Sequence, residues 1–295
     1  MIIFNLKYTK MKNSNLMLNK KLSVVVLAIF MWSISSWVNA NSIIKDSEGV
    51  NLPEKTEKAE VKSGISANPT ADLEKAKKEG KVVFLVITGT GAKDLNKTIN
   101  MANEAKGKVS KSLVVQMNKD DASNASLVSK LGIAGVPVPF IVVISSKGVP
   151  VAGFSHLQAT SALLVKSVPS PKQDEAFLAL SEKKPVFIIV SKKGLSDKAS
   201  VLSNCKSACA KITSKPVIIE IDYNDAKEKT FISQIGVASV TDKTVVVVIN
   251  VSGQITETMT GTPDINKLVL AANKVIKSGG CCPGGKSSNG CAPKK

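Results

Sequence analysis

Arginine is absent from this chain, and all 40 of its basic residues are lysine. Aromatic residues make up only 4% of it, and both tryptophans, Trp32 and Trp37, fall near the N-terminus. There is one histidine, His156, and no cysteine before Cys205. Each shortage excludes something. Arginine is the usual bidentate reader of phosphate and guanine, and aromatic rings are the platforms on which unpaired bases stack. A net charge of +17 carried by dispersed lysines therefore argues against a nucleic-acid partner. It reads as a charged, soluble surface, with weak attraction to anionic membranes or polymers as the residual reading. A single histidine with no cysteine or carboxylate cluster nearby leaves no Ser/His/Asp arrangement, so His156 reads as structural. Acidic pairs such as Asp120-Asp121 lie at strand ends, where solvated turns explain them. No cofactor motif is present. Gly89-Thr90-Gly91 offers backbone amides at a helix start but matches no phosphate-loop pattern, so it reads as a plain strand-to-helix turn.

The N-terminus has the pattern of a targeting segment. Lys7, Lys10, Lys12, Lys20 and Lys21 form a basic region without an acid, and an apolar run from Leu22 to Trp32 follows. Val38-Asn39-Ala40 then places small residues at the two positions a signal peptidase reads. Residues 1–40 are expected to be a signal peptide, and the mature chain to be periplasmic or secreted, with no stable membrane insertion. A start at Met11 or Met17 would give a more ordinary leader. The competing reading is an uncleaved membrane anchor, since residues 22–40 are nearly long enough to span a bilayer. No cysteine follows the apolar run, which argues against a lipid anchor.

Past this segment the chain repeats itself. Leu113-Val-Val-Gln-Met-Asn-Lys-Asp-Asp is echoed about 104 positions later by Val217-Ile-Ile-Glu-Ile-Asp-Tyr-Asn-Asp. Leu131-Gly-Ile-Ala-Gly-Val-Pro137 is echoed by Ile235-Gly-Val-Ala-Ser-Val-Thr241. A repeat of this length is a small domain rather than a solenoid unit. Hydrophobic periodicity and turn residues divide the first copy into helix 71–79, strand 82–87, a helix through Leu95, Ile99, Ala102 and Ala105, strand 113–117, helix 122–131, strands 140–144 and 149–154, and helix 157–167. The second copy reads as helix 173–182, strand 186–190, helix 197–212, strand 217–222, helix 226–235, strands 244–250 and 254–259, and helix 264–277. The order predicts an α/β architecture of two tandem domains, each a mixed, mainly parallel central sheet flanked by helices. Residues 41–68 are polar and aperiodic and read as a flexible linker. The domains then span 69–168 and 169–278, and 279–295 reads as a disordered, Gly/Pro/Ser-rich tail.

The first copy resembles thioredoxin-like domains. Ala71-Asp-Leu-Glu-Lys-Ala-Lys-Lys-Glu-Gly-Lys-Val-Val-Phe-Leu85 is similar to the lead helix and first buried strand of secreted members. Asn118-Lys-Asp-Asp121 fits the acidic end of the next strand. Gly132-Ile-Ala-Gly-Val-Pro137 resembles the loop that ends in a cis-proline. The resemblance implies a cis bond at Val136-Pro137 and a loop that pairs with the backbone of an extended partner, which makes Val136 and Pro137 candidate peptide-binding residues. It also exposes a departure. Ala92 and Leu95 stand where the family keeps its redox cysteines, so the first domain has no thiolate at that helix start. The second copy, with Lys192-Lys-Gly-Leu-Ser-Asp197 and Thr241, is a diverged duplicate without the pair as well.

The cysteines are Cys205, Cys209, Cys281, Cys282 and Cys291. An odd count leaves at least one thiol free, metal-bound or paired between chains. Cys205 and Cys209 share one face of a helix, within an apolar stripe that includes Val201, Leu202, Ala208 and Ile212. At the repeat offset they lie opposite Met101 and Ala105, which favours core packing. A disulfide to the tail, and metal binding or catalysis, are the other readings. Cys281, Cys282 and Cys291 have no apolar context. Disulfides within or between chains, including a linked dimer, soft-metal binding and thiol exchange all remain open for them. The expected function is non-catalytic binding of a protein or extended peptide, or scaffolding. Thiol-disulfide exchange through the tail or Cys205/Cys209 is the alternative, and metal binding by the tail is the third reading.

Overall fold

The computed structural model of the protein describes residues 64–276. The signal-peptide reading and the tail cysteines Cys281, Cys282 and Cys291 lie outside the described residues. Within them the chain forms α1 (Pro69–Lys78), β1 (Val82–Thr88), α2 (Leu95–Lys108), β2 (Ser112–Asn118), α3 (Ala125–Leu131), β3 (Phe140–Ile144), β4 (Pro150–Ser155) and α4 (Ser161–Lys166). The same order follows in α5 (Pro171–Ser181), β5 (Val186–Ser191), α6 (Lys198–Lys211), β6 (Val217–Asp222), α7 (Lys229–Gln234), β7 (Val245–Ile249), β8 (Ile255–Thr260) and α8 (Ile265–Asn273).

Two four-stranded sheets result, ordered β2-β1-β3-β4 and β6-β5-β7-β8. Both are mixed. In each, only the first pairing is parallel (β1 with β2, β5 with β6), and the next two are antiparallel. The two mixed sheets flanked by helices are those expected, with parallel pairing confined to the first pair of each. The chain after the short helix α3 enters β3 from the same end at which β1 leaves, so only the α2 crossover returns it to run parallel.

β1 is buried along its whole length because helices cover both faces of its sheet. Val83, Leu85 and Ile87 join the core under α1 and α3, and Val82, Phe84 and Val86 join the core under α2 and α4. This is the period-two alternation of a strand with both faces apolar. The second sheet repeats it, with Ile188 and Val190 on one side and Phe187 and Ile189 on the other. Local chemistry sets the helix starts. Asn68 caps α1, accepting from the Ala71 N–H, with Pro69 at the first helical position. Thr160 caps α4 and Ser170 caps α5 in the same way. Ser66, in the stretch read as linker, donates its N–H to the Gln116 carbonyl on β2.

The sheets also correct the register of the duplication. Val83 pairs with Ile144 and Val186 with Ile249, so Phe84 corresponds to Phe187. Thr88 pairs with Asn118 and Ser191 with Asp222. The offset widens by one residue between β1 and β2 and by one more in the loop before β3. The buried positions of α2 and α6 superimpose when Cys205 meets Ala102, not Met101. Cys209 then meets exposed Lys106, not buried Ala105.

Between the halves, α5 serves both. Ala176, Ala179 and Leu180 pack on the second sheet, while Phe177 and Leu178 pack on the α2/α4 core of the first. Ser146, after β3, donates to the buried Asp174 carboxylate at 2.6 Å.

Candidate functional site

One end of the first sheet gathers the turn after β1, the end of β2 and the loop that leads into β3. Thr90, Gly91, Lys119, Asp120 and residues 134–138 line an open depression there of about 530 Å³. Three contacts build it. The Thr90 N–H donates to Asp120 Oδ2, and these bonds from Thr90, with the charge of Lys119 adding to them, hold the Asp120 carboxyl below its usual range. A side chain at Gly89 would place its Cβ 2.7 Å from that carboxylate oxygen, so only glycine permits the close approach. Lys119 donates from Nζ to the carbonyls of Ala134 at 3.1 Å and Val136 at 2.9 Å, clamping the loop to β2. The Thr90 amide is thus already bound to a carboxylate of the protein itself, which agrees with the plain-turn reading of Gly89-Thr90-Gly91.

The cis peptide bond in this loop is Val138-Pro139, not Val136-Pro137. β3 begins at Phe140, and Pro139 is the residue next to it, with its carbonyl accepting from the His156 N–H to extend the β3–β4 ladder. Pro137, two residues earlier, is exposed at the rim of the depression, and Val136 and Val138 are half-buried. Val138 does not stand out in the sequence, because Val136-Pro137 and Val138-Pro139 repeat the same pair and only the start of β3 distinguishes them. The backbone N–H and C=O of Val138 have no hydrogen-bond partner among the described residues. Ala92 lies in the turn and Leu95 opens α2, so among the described residues no cysteine stands at this helix start.

The second domain builds the same corner and closes it. Tyr223, the counterpart of Lys119, donates from its hydroxyl to the Ala238 carbonyl at 2.8 Å, as Lys119 does to Ala134. Thr244 stands immediately before β7, as Pro139 stands before β3. Unlike proline it has donors. Its N–H and Oγ1 both go to the Asp197 carboxylate, at 3.0 and 2.8 Å, so the turn before α6 is tied across to the loop. Thr244 is fully buried.

Such a paired corner, at the end of a central sheet with the lead helix on one face and the second helix on the other, decides the fold. Each half is thioredoxin-like. No family model matches this chain, and no curated protein matches it. Among solved structures, the first two thioredoxin domains of Saccharomyces cerevisiae Eps1p are 14% identical, covering 76% of this chain and all of that one, with a TM-score of 0.28. Human ERp44 in its zinc-bound form is 8% identical over 71% of this chain and 60% of that one, at 0.32. The bb fragment of ERp72 is 14% identical over 68% and 90%, at 0.26. At these scores they assign no residue a role, and the fold rests on the strand order and helix placement above.

The thiols sit elsewhere. Cys205 is fully buried against Phe187 and Val246 in the α6/α8 core, and Cys209 is half-buried one turn on. Burial pushes the Cys205 thiol up to about 12, with Cys209 beside it adding to the shift, and burial raises Cys209 as well. Neither is bonded to the other. Among the described residues no group of three or more His, Cys, Asp or Glu side chains is placed to hold a metal ion. His156 keeps Nδ1 buried without a hydrogen-bond partner, while its N–H supports Pro139.

Proposed function

We propose that this chain is an exported, non-catalytic binding protein whose first domain holds an extended polypeptide segment along residues 134–138. The observation that carries the reading is the free backbone pair of Val138 at the mouth of an open depression. An extended segment laid beside it gains main-chain hydrogen bonds in the manner of an added strand, and Val136, Pro137 and Val138 give it an apolar rim. The lysine and the carboxylate of the site are already occupied by carbonyls and by the Thr90 amide, so little charge is left to recruit an ion. Two further points support binding over thiol exchange. The turn facing the loop carries no thiol, and both described thiols are shifted away from the reactive thiolate. In the second domain the equivalent corner is closed by Asp197 and Thr244, which limits the reading to the first.

The test uses a reduced, carboxymethylated model polypeptide, which is extended and has no sulfur able to exchange. Pro137 is exposed, so Pro137→Asp leaves the fold intact and places a charge on the apolar rim. The expected result is saturable binding to the wild-type chain and an affinity loss on the order of tenfold, about 1.4 kcal/mol, for the variant. Equal affinity for the two proteins would remove this loop from the function.

A further inference from the structure

The second domain is charged unevenly. α6, α8 and the segments that follow them, residues 198–216 and 265–276, contain six lysines and no aspartate or glutamate. Lys198 is paired with Glu220 at 3.0 Å. Lys206, Lys211, Lys215 and Lys274 are exposed and have no carboxylate partner among the described residues. The two helices lie on one face of the sheet, since Val201, Cys205 and Ala208 of α6 share a core with Leu268, Ala271 and Ala272 of α8. They also end together. α6 hands the chain to β6, where the Val217 N–H meets the Pro185 carbonyl just before β5. α8 stops at Asn273, and residues 274–276 are strapped to the β7–β8 turn: Asn250 Nδ2 donates to the Lys274 carbonyl at 2.8 Å and Gln254 Nε2 to the Ile276 carbonyl at 2.9 Å. That turn stands beside the start of β5, because Ile249 pairs with Val186. Both helices therefore bring their lysines to the end of the sheet where β5 begins.

Two large apolar side chains stand among these lysines. Leu270, in the last turn of α8, is 71% exposed, and Val275, in the strap, is 75% exposed. At the end of α6 an open depression of about 500 Å³ is lined by residues 209–213 and Lys215. Across the sheet the same end adds Lys183 and Lys184, and Glu182 there is already bound to Lys184 at 2.7 Å. Glu257, on the edge strand β8, is the exposed acid nearest by register. Positive charge is thus in clear excess. Unpaired lysines around exposed apolar side chains are the combination that an anionic bilayer surface satisfies: the apolar groups enter the boundary between headgroups and acyl chains, and the ammonium groups meet lipid phosphates. A nucleic-acid partner would call for arginine and stacking rings, and residues 198–216 and 265–276 have neither. No helix among the described residues is long and apolar enough to cross a membrane, so the contact is with its surface.

We propose that this end of the second domain docks on an anionic lipid bilayer, with Leu270 and Val275 entering the interface and Lys211, Lys215 and Lys274 meeting the lipid phosphates. The inference is independent of the peptide depression, which lies in the other domain.

The test uses residues 41–295, which keep every described element and lack the apolar run 22–32. Vesicles of equal parts phosphatidylglycerol and phosphatidylcholine are compared with vesicles of phosphatidylcholine alone. Because lysines are spread over the whole chain, charge is controlled by position. Lys211→Glu with Lys215→Glu is set against Lys193→Glu with Lys227→Glu, which changes exposed lysines at the opposite end of the same sheet. The expected result is cosedimentation with the anionic vesicles only. At about 0.1 M salt the first pair loses affinity on the order of tenfold or more, and the second pair loses much less. Leu270→Ser with Val275→Ser also weakens vesicle binding but leaves any attraction to soluble polyglutamate unchanged. All the substituted positions are exposed, and unchanged denaturant midpoints establish that the variants fold. Equal losses for the two charge pairs would mean attraction of dispersed charge. Undiminished binding by the serine variant would mean an acidic polymer as partner, and no wild-type binding to anionic vesicles would mean no lipid contact. Each of these results overturns the proposal.

Discussion

Cys205 shows how much one side chain's surroundings decide. It is fully buried, and its thiol is pushed up from an ordinary 9.0 to about 12 by loss of hydration. In the unfolded chain the same thiol ionises at its ordinary value. A raised folded value means the stabilisation is complete below about pH 9 and is lost as pH rises from there toward 12. Urea midpoints measured from pH 8 to 11 are expected to fall more steeply for the wild type than for Cys205→Ala; parallel curves would show that this thiol is not desolvated. Cys205→Ser buries a hydroxyl among apolar neighbours and should cost about 1–3 kcal/mol more than the alanine variant. Gly89 makes a second residue-scale prediction. Gly89→Ala forces a Cβ to within 2.7 Å of the Asp120 carboxylate and breaks its bond to Thr90, so a loss of about 1–2 kcal/mol in denaturant unfolding is expected. The sequence showed Cys205 as an apolar residue on a helix stripe. It did not show that Cys209, one turn later, is only half-buried at the edge of the same core, because an i,i+4 pair shares a face whatever the tilt of the helix on its sheet.

At the scale of elements, the loops that precede β3 and β7 have diverged in opposite directions. Proline has no N–H, so the Pro139 corner stays open. Threonine brings two donors, and the Thr244 corner is bound to Asp197. Thr244→Val keeps the N–H but removes the 2.8 Å hydroxyl bond, which should cost about 1–2 kcal/mol in chemical denaturation while leaving peptide binding by the first domain unchanged. The strands were legible from sequence: 140–144 and 217–222 are where alternation and β-branched runs put them. Helix ends were less so. α4, α7 and α8 are shorter than expected because Thr160 caps the first later than its apolar pattern begins, the backbone turns at Asp225 and Glu228 delay the second, and Asn250 and Gln254 pull residues 274–276 out of the third. The last two causes lie in hydrogen bonds that local pattern does not encode. The cis bond was assigned to the wrong proline because two candidates lie two residues apart, and only the start of β3 at Phe140 distinguishes them.

Across the whole molecule, α5 is the shared element. It caps the second sheet with Ala176, Ala179 and Leu180 and extends the first domain's core with Phe177 and Leu178. A connection of that kind couples the two units, so their unfolding is expected to be a single calorimetric transition. Phe177→Ala should lower stability by about 3 kcal/mol and separate the transition into two. A wild-type chain that already unfolds in two steps would show that the packing of α5 on the first domain is weak. The tandem arrangement itself was readable from the repeat, whereas the sharing of α5 was not, since the Pro- and Ser-rich stretch around Pro169 and Pro171 reads only as a domain boundary.

The most direct test of the central claim is backbone amide exchange at Val138 with and without the carboxymethylated polypeptide. If an extended segment pairs with the first domain's loop, the Val138 amide is exchange-labile alone and becomes protected on binding, while residues 238–244 of the second domain do not change. Binding that leaves Val138 as labile as before would contradict the account.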